Sequence, residues 1–112
     1  MTKHIKNIVK IDQLEGGILR LILNDSKNKN ALSEQMMKEL LDQIFNASSN
    51  NSIRVIIISA VGDVFCSGHN LKEITDARNN EDEGKEYFSN LFNLCSSLMQ
   101  MIVNCSKPVI AE

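Results

Sequence analysis

Hydrophobic and polar positions recur with different periods along the chain, and each period predicts an element. Residues 7–12 alternate as a strand does. Glu15-Gly16-Gly17 is a turn signal, because glycine takes positive φ without a steric cost. Ile18 to Leu23 is a second run, so the chain is expected to open with a β-hairpin. Residues 24–30, NDSKNKN, form a polar connection with no apolar residue. Ser33 is a good helix N-cap, and Glu34 follows where the helix dipole favours an anion. Met36, Met37, Leu40, Leu41, Ile44 and Phe45 then recur at helical spacing and read as core packing. The helix is expected to end in residues 46–51, NASSNN.

Val55 to Ile58 is a continuous β-branched run, the pattern of a strand covered on both faces in a parallel sheet. Strand, helix, strand in this order predicts a right-handed crossover unit. Residues 75–84, TDARNNEDEG, are polar and charged and predict a mobile surface loop. From Lys85 to about Cys105 the spacing predicts a long helix. Tyr87, Phe88, Leu91, Phe92, Leu94, Cys95, Leu98, Met99, Ile102 and Val103 cover more than one of its stripes. So wide an apolar arc needs covering on several sides, which predicts either more chain or partner subunits. Residues 107–111 start another strand, with Pro108 where a missing N–H is tolerated. The fold class is therefore α/β, in one domain over residues 1–112. A sequence that stops on a fresh strand predicts a truncated domain.

Composition narrows the function. The 112 residues are 43% hydrophobic but only 4% aromatic with no Trp, so aliphatic side chains must build most of the core. A net charge of −2 gives no basic footprint, which argues against nucleic acid. No apolar run reaches the roughly 18 residues of a membrane span, which argues against a membrane partner. The N-terminal MTKHIKNIVKIDQ lacks an apolar signal region, and the expected location is cytoplasmic. Cys66, Cys95 and Cys105 are odd in number and fit no zinc or disulfide spacing, so reduced thiols are expected.

The candidate chemistry lies in VGDVFCSGHNLKEI, residues 61–74, at the exit of the β-branched strand. A nucleophile elbow is excluded, because Phe65 and His69 flank Ser67 where glycines are required. Cys66 and His69 are close enough to pair, but no third orienting residue is evident. His69 and Glu73 stand four apart; two ligands are too few for a metal, and none is expected. A backbone reading fits better. Gly68 and its small neighbours let the main chain approach a ligand, and the turn feeds a helix N-terminus near Asn70. An oxyanion site is built in this way. An ordinary strand-to-helix turn shares the same construction.

Four pieces taken together resemble the N-terminal part of the enoyl-CoA hydratase/isomerase, or crotonase, superfamily. They are GILRLILN in the hairpin, KNAL at Lys29 to Leu32, RVIIISAVGDVFCSGHNLKEI, and KPVIAE after the long helix. The GHNLKE form is similar to the enoyl-CoA hydratase domain-containing subgroup. The resemblance implies the N-terminal half of a crotonase-like (ClpP/crotonase) spiral of ββα units. It implies a coenzyme A thioester as substrate, an enolate as the stabilised species, and hydration of a 2-enoyl thioester as the leading chemistry. An isomerase-type member, or a non-catalytic coenzyme A-binding or structural remnant, is the alternative. No separate cofactor is implied, since coenzyme A belongs to the substrate. Relatives of this kind imply a homo-oligomer, a trimer or hexamer, for the complete protein.

Residue by residue, the resemblance makes the His69 backbone N–H one of two donors to the thioester oxygen, the catalytic contribution of this segment. Ser67 and Gly68 would line the adenine and pantetheine side of coenzyme A. Ala31 and Leu32 would border the same groove, Lys29 would meet a phosphate, and Asn70 and Leu71 would complete it. Asn70 stands where the family commonly has Asp. The second oxyanion donor and the hydratase carboxylates of the family fall beyond Glu112. Glu112 itself is not assigned as a catalytic acid.

Overall fold

The computed structural model describes residues 6–112. Strands β1 (Val9–Leu14) and β2 (Ile18–Leu23) form the antiparallel hairpin, with Val9 opposite Leu23 and Leu14 opposite Ile18. The first strand thus starts two residues later than its alternation suggests. The N–H groups of Ile8 and Val9 both donate to Glu39 Oε1 at 3.0 Å, which ties the strand's entry to the first helix. Gly17 has φ +80°, and its carbonyl accepts from Arg54 N and Val55 N at 2.7 and 3.2 Å. A Cβ there would lie 2.9 Å from the Ser52 carbonyl, so the turn needs glycine for space as well as for φ.

Helix α1 (Glu34–Ser48) begins as its sequence predicts: Ser33 Oγ accepts from Met36 N at 3.1 Å. Met36, Met37, Leu40 and Ile44 are buried on the sheet, beside Leu19, Leu21 and Leu23 of β2. Phe45 does not join them. It is 62% exposed, because it sits one step around the helix from Ile44 and faces away from the sheet.

Strand β3 (Val55–Ala60) pairs parallel with β2, and β4 (Val109–Ala111) pairs parallel with β3, giving the order β1-β2-β3-β4. Each parallel step is bridged by helix, as a crossover requires. β3 is not covered on both faces as its β-branched run suggests. Ile56 is fully buried while Val55, Ile57 and Ile58 are half-buried. α1 packs on one face, and the opposite face carries Ile18, Ile22, Ile57 and Ile110 with little over them.

The second crossover holds α2 (Leu71–Arg78) and α3 (Lys85–Asn104). The loop expected at residues 75–84 is therefore helical as far as Arg78. Asn70 Oδ1 accepts from Glu73 N at 3.1 Å to cap α2, and the buried Ala77 supplies its inner face. A polar stretch with one small buried residue lacks the periodicity that marks a helix. Asp82 then caps α3, accepting from Glu86 N and Gly84 N at 3.0 Å each; those two bonds hold its carboxyl below the usual carboxylate range. α3 packs along α1 and buries Leu91 and Leu98, while Phe92 and Val103 stay 76% and 81% exposed. No helix among the described residues is long and apolar enough to cross a membrane.

Lys107 fastens the last strand to the rest. Its Nζ donates to the carbonyls of Ala47, Asn50 and Ile53 at 3.0, 2.8 and 2.8 Å, just beyond the end of α1. A cation there satisfies orphan carbonyls and complements the helix dipole. Lys107→Met is expected to lower stability by about 2 kcal/mol, near the worth of a hydrogen bond to a charged group. Urea unfolding should show a lower midpoint at unchanged slope. An unchanged midpoint would mean that water serves those carbonyls equally well.

Candidate active site

The site is built where two loops meet at the exit of β3. The first runs from the 3-10 turn Ser26–Asn28 to Ser33; the second covers residues 61–70. Asn30 joins them. It is fully buried with φ +53°, a conformation that Asn tolerates better than most residues. Its Oδ1 accepts from Asp25 N at 2.8 Å, and its Nδ2 donates to the carbonyls of Val61 and Val64 at 2.9 and 2.8 Å. The first bond closes its own loop, and the other two cross to the second loop.

Main-chain bonds then close the seam. Ser67 N donates to Lys29 O at 3.1 Å, and Leu32 N donates to Gly68 O at 2.6 Å. Leu32 and His69 form an isolated parallel bridge. In a parallel pair, one residue bonds the two neighbours of its partner, so the partner's own N–H and C=O face the other way. Here Leu32 is the bonded residue. Among the described residues, the His69 N–H has no acceptor. Gly68, at φ +91°, makes the reversal that presents it.

Two grooves meet at His69. A polar one of about 280 Å³ is lined by Asn28, Lys29, Ala31, Ser67, His69, Asn70 and Leu71. An apolar one of about 330 Å³ runs along α3, lined by His69, Phe88, Leu91, Phe92, Cys95, Ser96 and Met99. Six of the eight residues singled out in the sequence share the polar groove. Leu32 and Gly68 stand behind it, joined by their hydrogen bond. No carboxylate lines either groove among the described residues.

Glu73 lies outside both. Its Oε1 accepts from Glu34 N at 3.2 Å and from the Tyr87 hydroxyl at 3.3 Å, so it joins the starts of α1, α2 and α3. Desolvation, then the charge of Glu73 and the hydrogen bond to it, push the Tyr87 phenol up to about 12. Glu73 is thus occupied, and no group of three metal-ligating side chains occurs among the described residues. The three cysteines are free thiols, each half-buried. Cys66 packs against the core, while Cys95 lines the apolar groove.

Sequence reasoning missed Asn30, the partners of Glu73 and the α3 groove. Only Asn30 left a signal. It lies inside the quoted KNAL piece, whose other three residues were all given a contact role.

Comparison with known proteins accounts for this architecture. The enoyl-CoA hydratase/isomerase family model matches residues 13–112. Enoyl-CoA hydratase domain-containing protein 3, mitochondrial, of Xenopus laevis is 46% identical over 100 residues, covering 89% of this chain and 32% of that protein. Its human counterpart is 44% identical over 95 residues, covering 85% of this chain and 30% of that protein. The crystal structure of an enoyl-CoA hydratase from Mycobacterium smegmatis superposes with a TM-score of 0.84 at 34% identity, over 95% of this chain and 39% of that one. The chain spans about a third of the length of the curated relatives it matches.

These relatives overturn the cytoplasmic expectation, since both are named mitochondrial. That expectation rested on a missing apolar signal region, which bears on secretion. Mitochondrial leaders are amphipathic and basic and carry no such region. The family match runs from the end of β1 through β2, both crossovers and both loops of the site, and on it the chain belongs to the enoyl-CoA hydratase/isomerase family.

Proposed function

We propose that this segment supplies the coenzyme A groove and one oxyanion donor of an acyl-CoA thioester site. The observation that carries the reading is the His69 N–H, without an acceptor among the described residues and placed where a polar and an apolar groove meet. A thioester oxygen placed there gains charge as the acyl group becomes an enolate. A fixed amide stabilises that charge more than it stabilises the ground-state carbonyl. Ser67 lines the adenine and pantetheine side and Ala31 borders it, with Gly68 and Leu32, hydrogen-bonded to each other, as the backbone support behind them. Lys29, exposed on the polar groove, meets a phosphate, and Asn70 and Leu71 close the end at α2. Coenzyme A arrives as part of the substrate, and no separate cofactor is required.

For the complete protein the proposed reaction is hydration of a 2-enoyl thioester. The absence of a carboxylate from both grooves favours a second reading for the segment by itself, as a binding or structural unit. Isomerase-type chemistry also passes through a thioester enolate, but it adds no water: a proton leaves carbon 2 and one is returned at carbon 4. Homo-oligomerisation, as a trimer or hexamer, is supported by the exposed Val103 at the end of α3, apolar surface outside the groove that favours association.

Calorimetric titration of the 112-residue chain with coenzyme A tests the reading. Binding is expected, and Lys29→Ala is expected to weaken it about fivefold at low salt, the effect of an exposed ion pair near 1 kcal/mol. The difference should fade as salt rises. Absence of coenzyme A binding at millimolar concentration would remove the proposal.

A further inference from the structure

We infer that the His69 imidazole is a specificity-determining group, selecting against acyl chains that branch next to the thioester carbonyl. The inference rests on the thioester reading above and assigns a task to the side chain, where that reading uses only the main chain. His69 is the one residue that lines both the polar groove and the apolar groove on α3. Its ring is exposed and makes no side-chain hydrogen bond among the described residues, so neither burial nor a polar network accounts for it.

Covalent geometry limits where the ring can act. The amide nitrogen and Cβ of one residue are attached to the same Cα and lie about 2.5 Å apart. A carbonyl oxygen about 2.9 Å from that nitrogen therefore has the His69 side chain beside its own first acyl carbons. Beyond the ring, the apolar side chains Phe88, Leu91, Phe92, Cys95 and Met99 continue the path. The occupant that fits this continuity is an acyl chain whose carbonyl sits at the His69 amide and whose tail runs onto α3. A straight chain passes the ring. A methyl branch at the first or second acyl carbon meets it.

The test compares butyryl-CoA with isobutyryl-CoA and pivaloyl-CoA, which are saturated and do not turn over. Affinities are measured by calorimetry on the 112-residue chain and its variants, with folding checked by circular dichroism. The reported quantity is the ratio of branched to straight affinity within each protein, which divides out any change in the hold on coenzyme A. Wild type is expected to favour butyryl-CoA. His69→Ala should raise the relative affinity of the branched ligands about tenfold, the lower range for one methyl group in an apolar site. His69→Ser substitutes if the alanine variant fails to fold. His69→Gln, with comparable bulk, should keep the wild-type ratio. An unchanged ratio in the small variants, or an equal relaxation in His69→Gln, would overturn the inference while leaving coenzyme A binding intact. Failure of wild type to bind any of the ligands would overturn the thioester reading as well.

Discussion

Asn30→Ala is expected to lower the stability of the chain by about 3 kcal/mol, from the loss of hydrogen bonds to buried or half-buried main-chain groups. Truncation leaves Asp25 N and the carbonyls of Val61 and Val64 without their side-chain partner. Each such group, if fully buried, costs about 1–3 kcal/mol when unsatisfied. The total falls below the sum because Val61 and Val64 are partly open, and water can reach some of the vacated positions. Alanine also tolerates the φ of +53° less well than asparagine does. Domains of this size are stable by only about 5–15 kcal/mol, so the loss is a large part of the total.

The effect should extend to function, because Asn30 holds the two loops that carry Lys29 and His69. Urea unfolding followed by coenzyme A titration checks both consequences. Asn30→Asp keeps the acceptor for Asp25 N but loses the donor and buries a charge, so it should be at least as damaging. If both variants stay within about 1 kcal/mol of wild type, near the centre of ordinary point-mutant effects, the zipped main-chain bonds alone must hold the loops.

The elements that could be read from sequence are those whose signals are local. α1 was legible because Ser33 supplies a cap oxygen and Met36, Met37, Leu40 and Ile44 follow at helical spacing. β2 and β3 were legible as apolar runs, β2 interrupted only by Arg20, and their parallel pairing followed from the helix between them. The failures share a cause. Asn30 sits in NDSKNKN among residues that any solvated loop would contain, and the carbonyls it binds lie 31 and 34 residues away. Glu73 reads as part of LKEI, yet its partners are Glu34 and Tyr87 on two other helices. Phe45 fits the α1 stripe by hydrophobicity and leaves it by angle. The apolar groove beside His69 is invisible because Phe92 and Met99 look the same in a sequence whether they face a core or an opening. Membership of the loop pair was legible only through the four family-like pieces. No local pattern reveals that Leu32 bonds Gly68.

The 112-residue chain alone is expected to show no substantial hydration of crotonyl-CoA. Its grooves contain the unengaged His69 amide and, among the described residues, no carboxylate. Glu73, the acid nearest in sequence, is held by Glu34 N and the Tyr87 hydroxyl. Glu112 is paired with Arg20 at 3.2 Å on the sheet. Loss of one oxyanion donor costs about 10²–10³ in rate. Loss of a positioned general acid or base costs roughly another 10²–10⁴. These factors do not simply multiply, since catalytic groups act as a unit. Even the smallest of them, about a hundredfold, separates a binding unit from a hydratase. The measurement is loss of enoyl thioester absorbance with purified chain, beside a full-length family member as positive control. Coenzyme A binding without turnover would agree with a segment that positions the thioester and supplies part of its oxyanion site. Turnover within about tenfold of the control, well inside the loss expected for a missing donor, would mean that a second donor and an acid–base group lie within these 112 residues.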